Sequence, residues 1–135
     1  MIILGIDPGL QVCGYAVVEV KRLDTKLVEA GVFRSDSKAP LELRLNQIAS
    51  DIGQILTNYK PERVAVEELY AHYKHPRTAI LMGHARGVIL HKSAEAGAVI
   101  KSYSATRIKK SLTGNGRAGK PQMQRAIQTV LGLGN

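Results

Sequence analysis

Met1-Ile2-Ile3-Leu4-Gly5-Ile6-Asp7-Pro8-Gly9 opens the chain, and the reading of these nine residues decides the fold. A nearly unbroken apolar run as far as Asp7 suits a strand covered on both faces. Pro8-Gly9 then forces the chain to turn, at the place where a parallel sheet opens a crevice beyond the carboxyl ends of its strands. Asp7 has two readings. It is a carboxylate presented at that crevice, or an ordinary turn former whose side chain bonds the next backbone amides.

A second short apolar run, Arg63 to Leu69, carries Val64-Ala65-Val66 and then Glu67, where packing alone would ask for another aliphatic residue. If the two strands are parallel neighbours, Asp7 and Glu67 meet at one end of the sheet. Two carboxylates that close repel unless a cation joins them, and hard oxygen donors select Mg2+, with Mn2+ as its substitute, over zinc. Glu68 falls on the opposite side by the two-residue strand period and reads as a solvated neighbour.

Outward from these runs, Gly14 to Lys21 and Leu27 to Ser35 are β-branched-rich strands separated by Leu23-Asp24-Thr25 turn material. After Pro40, Leu41, Leu45, Ile48, Ile52, Ile55, Leu56 and Tyr59 recur every three or four positions, tracing one face of a helix that Lys60-Pro61 ends. Pro76 to Ala96 reads as a long helix with Gly83 and Gly87 on one face, either packed on the sheet or set at a helix-helix contact. Val99 to Tyr103 makes a fifth strand, Ser104 to Leu112 a helix with a Ser cap, and Pro121 to Leu133 a last helix with Pro in its first turn. Strand, strand, strand, helix, strand, helix, strand, helix, helix is the order of an α/β fold with a mixed five-stranded sheet flanked by helices. The expectation is a single domain over residues 1–135, without repeat or linker.

The sequence holds 135 residues, 44% of them hydrophobic, and sets Lys+Arg 19 against Asp+Glu 11 for a net charge of +8. The resulting positive field attracts polyanions, nucleic acid first and anionic membrane second. The longest apolar stretches are strand-sized and broken by charges, and Met1 leads straight into a strand without a basic leader, so a membrane span and secretion are not expected. The lone Cys13 reads as a small packed apolar residue of a protein in the reducing cytoplasm. His72 and His75 lack a second ligand pair and read as loop residues, not a zinc site.

Charge segregates along the chain. No Asp or Glu follows Glu95, while Arg107 to Arg125 contains Lys109, Lys110, Arg117 and Lys120 around Thr113-Gly114-Asn115-Gly116. A flexible basic loop of this kind suits a phosphate backbone. Tyr70, Tyr73, Lys74 and Arg77 follow the Glu67 strand, placing rings and cations beside the candidate metal, and rings can stack on unpaired bases.

Four motifs in order, GIDPG (5–9) followed by Gly14-Tyr15, VAVEELY (64–70), GHARG (83–87) and RIKKSLTGNGRAGKPQMQ (107–124), resemble the bacterial RuvC Holliday junction resolvases over almost the whole chain. The resemblance implies a ribonuclease H-like fold, a homodimer gripping four-way junction DNA, and paired symmetric nicks made by metal-activated water. It implies that Asp7 and Glu67 bind the metal and that Tyr70 helps to open base pairs. Lys109 and Lys120 would lie near the scissile phosphate, Lys120 with a catalytic part in neutralising its charge. Lys74, Arg77, Lys110 and Arg117 complete the expected DNA-binding set, the Gly83–Gly87 helix becomes the dimer element, and a branch-migration motor of RuvA and RuvB becomes a partner. It further implies acidic ligands on a C-terminal helix with an Asp-rich motif, whereas these residues run to Leu133-Gly134-Asn135 without one. A truncated chain, an unseen tail and an incomplete site all fit, and residues 1–135 are expected to bind branched DNA but cut it poorly.

Two rival functions remain from the residues alone. An ATP-binding phosphotransferase of the actin and sugar kinase type shares the Asp-x-Gly turn but needs a second lobe. A non-catalytic branched-DNA binding module would explain the scarcity of acids but leaves Glu67 at the end of a buried strand without a reason.

Overall fold

The computed structural model describes residues 1–69 and 74–132. Tyr70, His72 and Tyr73, together with Leu133 at the end of the last expected helix, lie outside the described residues. Five strands form one sheet in the order β3-β2-β1-β4-β5. They are β1 (Ile2–Asp7), β2 (Val12–Lys21), β3 (Asp24–Arg34), β4 (Arg63–Glu67) and β5 (Val99–Tyr103), and the helices are α1 (Leu41–Tyr59), α2 (Pro76–Glu95), α3 (Ala105–Thr113) and α4 (Lys120–Leu131). β1 runs antiparallel to β2 and parallel to β4, and β4 runs parallel to β5. The sheet is therefore mixed, as the element order implied.

The period-2 alternation of the strands and the helical stripe of α1 meet in one core. Leu4, Ile6, Cys13, Val17, Phe33, Val64 and Val66 from the sheet pack with Ile48, Ile52, Ile55 and Leu56 of α1 and with Ala85 and Ile89 of α2. Ile52 and Ile89 are fully buried, and each such side chain removed from water contributes roughly 2 kcal/mol. The helix stop at Lys60 is real: this residue takes a left-handed φ of 46° and its amide donates to the Leu56 carbonyl, closing the last turn of α1 ahead of Pro61. At the head of α3 the Ser104 side chain accepts from the Arg107 amide, the cap that the sequence indicated.

The hairpin differs from its expected place. Lys21 pairs with Asp24 and Val20 with Thr25, so Asp24 and Thr25 belong to β3 and the turn is Arg22-Leu23. Arg22 carries it, at φ 55°, a left-handed conformation that the composition of the turn does not announce. β2 also begins earlier, at Val12, and a bulge between Val17 and Val18 shifts the register so that Val28 is the extra residue.

In α2, an added methyl at Gly83 would touch the Leu69 side chain of the same chain at 3.8 Å, whereas at Gly87 it would meet open space. Gly83 thus serves internal packing. Ile80, His84, Gly87 and His91, one turn apart, form an exposed stripe.

Candidate active site

Parallel pairing of β1 with β4 steps through Ile3↔Arg63, Leu4↔Val64, Gly5↔Ala65 and Ile6↔Val66. The next step in each strand is Asp7 and Glu67, both at the carboxyl end of the sheet, where loops leave room for a ligand. Alternation keeps Leu4, Ile6, Val64 and Val66 in the helix-covered core and so aims Asp7 and Glu67 to the other side. Glu67 is half-buried and Glu68 exposed.

The pair is electrostatically strained. Burial, a hydrogen bond to Asp7 and the charge of Asp7 together push the Glu67 carboxyl up to about 7, and the Lys109 ammonium pulls the other way. Without a cation the two carboxyls oppose each other's charge, and Glu67 keeps a proton more readily than an ordinary glutamate. A divalent ion would replace that proton with a charge that both oxygen sets can ligate.

The turn after Asp7 is held from three directions. A side chain at Gly9 would place its Cβ 2.2 Å from the Val12 carbonyl oxygen, so only glycine lets the chain pass there. The Cys13 thiol donates to the Gly9 carbonyl at 2.9 Å and accepts from the Gly9 amide at 3.4 Å; burial raises its pKa, which keeps it a thiol. The Ser35 hydroxyl donates to the Leu10 carbonyl and accepts from Arg44 Nε at 3.2 Å. The reading of Cys13 as a packed strand residue holds, with a pinning role added to it.

On the far side of Glu67, β5 brings Tyr103 into register with it. Lys101 Nζ and the Arg107 guanidinium sit 5.4 and 5.5 Å from the Tyr103 ring centroid. The sequence reading did not single out these three residues. Their signal was present as Lys101-Ser102-Tyr103 on an edge strand, but only the β4–β5 register connects them to Glu67.

Of the other expected site residues, Lys109 is half-buried on α3 and close enough to act on Glu67. Lys110, Arg117 and Lys120 are exposed, Lys120 as the first residue of α4. Lys74 and Arg77 stand exposed at the head of α2, and Tyr70 lies outside the described residues. The basic loop is built, not slack. Thr113 Oγ1 donates to the Lys109 carbonyl at 2.7 Å and accepts from the Asn115 amide at 3.1 Å, while Asn115 Oδ1 accepts from the Arg117 amide at 2.9 Å.

The crossover junction endodeoxyribonuclease RuvC family matches residues 3–135. This chain belongs to the RuvC family. The RuvC enzyme of Rhodopirellula baltica is 47% identical over 131 residues, 97% of this chain and 74% of its own. That of Heliobacterium modesticaldum is 38% identical over 98% of this chain and 82% of its own. The RuvC of T. thermophilus, solved in complex with Holliday junction substrate, superposes with a TM-score of 0.91 at 32% identity, covering 100% of this chain and 82% of that one. RuvC structures have a ribonuclease H-like fold, which is therefore the fold of this sheet and its helices.

RuvC-family nucleases depend on divalent metal, and the donors here fit such an ion: two convergent carboxylates, one of them forced to keep its proton well above the usual glutamate range. Among the described residues no group of three or more His, Cys, Asp or Glu forms, so Asp7 and Glu67 constitute a two-carboxylate set. No helix among the described residues is long and apolar enough to cross a membrane.

Proposed function

We propose that this chain is a metal-dependent, structure-selective endonuclease that resolves Holliday junctions by paired symmetric nicks in DNA recombination and repair. The observation that carries this reading is the parallel β1–β4 pairing in a RuvC-family chain, because it converts two carboxylates 60 positions apart in sequence, Asp7 and Glu67, into one acidic site.

Asp7 and Glu67 would hold Mg2+, or Mn2+ in its place. The bound ion supplies Lewis acidity toward a phosphoryl oxygen and lowers the pKa of a water. Lys109 favours the charged Glu67 carboxylate that such an ion would need. A two-metal displacement needs acidic ligands beyond these two, and residues 96–135 contain no Asp or Glu to supply them. Lys120 neutralises charge that builds on the phosphate. Lys74, Arg77, Lys110 and Arg117 bind the backbone, with Lys101 of β5 and Arg107 of α3 extending the cationic surface on either side of Tyr103. Tyr70 stacks on opened bases.

The exposed α2 stripe with Gly87 serves a homodimer, matching the two-fold character of a four-way junction. The partners we assign by family are that junction and the RuvA and RuvB motor, in the cytoplasm. The deciding experiment presents the full-length protein with a labelled four-way junction and with linear duplex of the same sequence, each with and without Mg2+, alongside Asp7→Asn. Paired nicks in the junction alone, dependent on metal and absent in the variant, are expected. Junction binding without nicks under all metal conditions would favour the binding-module reading, and ATP binding without junction affinity the phosphotransferase reading.

A further inference from the structure

Arg86 lies in α2 on the helix-covered side of the sheet, behind the acidic site and not in it. Its Nε donates to the backbone carbonyl of Glu67 at 3.3 Å, and its terminal nitrogen donates to the Ser102 hydroxyl at 2.6 Å. Among the described residues no carboxylate lies within ion-pair distance of it. A guanidinium is a planar fork whose donors diverge at fixed angles, so the two bonds tie the last residue of β4 to the neighbouring strand β5 from the helix side. From the sheet side, the Glu68 amide donates to the Tyr103 carbonyl at 2.7 Å. Behind Glu67 there remains a void of about 10 Å³, lined by Pro8, Glu67, Leu69, Met82 and Arg86, too small for more than one water.

These contacts fall where a strand would otherwise fray. Glu67 ends β4, the ladder stops there, and the chain turns away, yet its carboxylate has to stand within about 0.5 Å of a productive position to ligate an ion. We infer that Arg86 is a positioning residue for the metal site, holding the Glu67 main chain against Ser102 so that the carboxylate meets Asp7 at a fixed distance. The inference rests on Asp7 and Glu67 being the metal ligands. Arg86 touches neither substrate nor metal and acts through the backbone it holds.

The test uses the full-length protein and three readouts on each variant: Mn2+ affinity by calorimetry without DNA, the metal concentration giving half-maximal junction cleavage, and junction affinity in EDTA. For Arg86→Gln, Mn2+ affinity and the half-maximal metal concentration should each worsen by about tenfold or more, the usual consequence of losing a group that orients a ligand, with junction affinity within about twofold of wild type. Arg86→Lys keeps the charge but cannot span both acceptors, and should recover only part of the loss. Should Arg86→Gln fail to fold, Ser102→Ala, which frees one arm of the guanidinium while leaving the arginine in place, should weaken metal binding in the same direction by a few-fold. Wild-type metal affinity in folded Arg86→Gln or in Ser102→Ala overturns the assignment, as do parallel losses of metal and junction binding. If the wild-type protein itself neither binds Mn2+ nor nicks the junction, the ligand assignment of Asp7 and Glu67 fails first, a distinguishable result.

Discussion

Replacing Glu67 by Gln should stabilise the metal-free protein at about pH 8 and leave it nearly unchanged at about pH 4. Glu67 is raised from the usual 4.5 to about 7, chiefly by burial and then by Asp7. Below the lower value the folded and unfolded chains both hold the proton and nothing is lost. Between 4.5 and 7 the unfolded chain releases it first, so stability falls as pH rises, and above about 7 the folded state carries the whole penalty. Unscreened, the rise would amount to roughly 3 kcal/mol; solvent reaches a half-exposed carboxyl, and screening reduces the effect to on the order of 1 kcal/mol. For a chain of this size that is a Tm difference of about 4 °C. Thermal melts of wild type and Glu67→Gln in EDTA, taken across that pH range, read it directly. Added Mn2+ should then raise the wild-type Tm by binding the native state alone and leave the variant largely unmoved. A Glu67→Gln shift that is independent of pH, or destabilising above pH 7, would refute the account of the pair as an electrostatically strained site.

Lys109→Ala and Lys120→Ala should each weaken junction binding and flatten its salt dependence by about one unit of log-log slope, read by binding titrations at several salt concentrations; unchanged slopes would assign both lysines to plain solvated surface. Gly9→Ala forces a Cβ to 2.2 Å from the Val12 carbonyl, so denaturant melts should show a loss of roughly 2 kcal/mol, with cleavage falling further as Asp7 is displaced. Sedimentation at micromolar concentration should show a dimer, and Gly87→Arg on the exposed α2 stripe should dissociate it without lowering the Tm of the protomer; a wild-type monomer would remove α2 from the assembly.

The acidic site was legible because both carboxylates interrupt apolar strands at their ends, where packing gives no reason for charge. The order of elements and the mixed character of the sheet could be read as well, since a run of three β-rich segments followed by alternating helices and strands leaves few sheets to build. The hairpin was misplaced because Asp24 and Thr25 look like turn residues, while the left-handed residue is Arg22, whose side chain gives no such sign. Lys101, Tyr103 and Arg107 stayed hidden for a different reason: their relation to Glu67 exists only in the β4–β5 register. Arg86 stands inside GHARG, yet a helix position does not say which strand end its side chain reaches. The glycines of the basic loop suggest flexibility, and the side-chain bonds of Thr113 and Asn115 that shape it are invisible until the turn is closed.

The β1–β4 pairing has a consequence for the order of events during folding. The β2–β3 hairpin and helix α1 are local and can form from neighbouring residues, but Asp7 and Glu67 come together only when the chain closes the long loop between β1 and β4, among the slowest contacts in a fold of this size. A partly unfolded chain in which α3 and α4 keep their lysines and arginines therefore presents cations to DNA while β1 and β4 stand apart and there is no place for the metal. Cutting requires the completed central sheet, so chains in which β1 and β4 have not met are at worst weak DNA binders rather than uncontrolled nucleases.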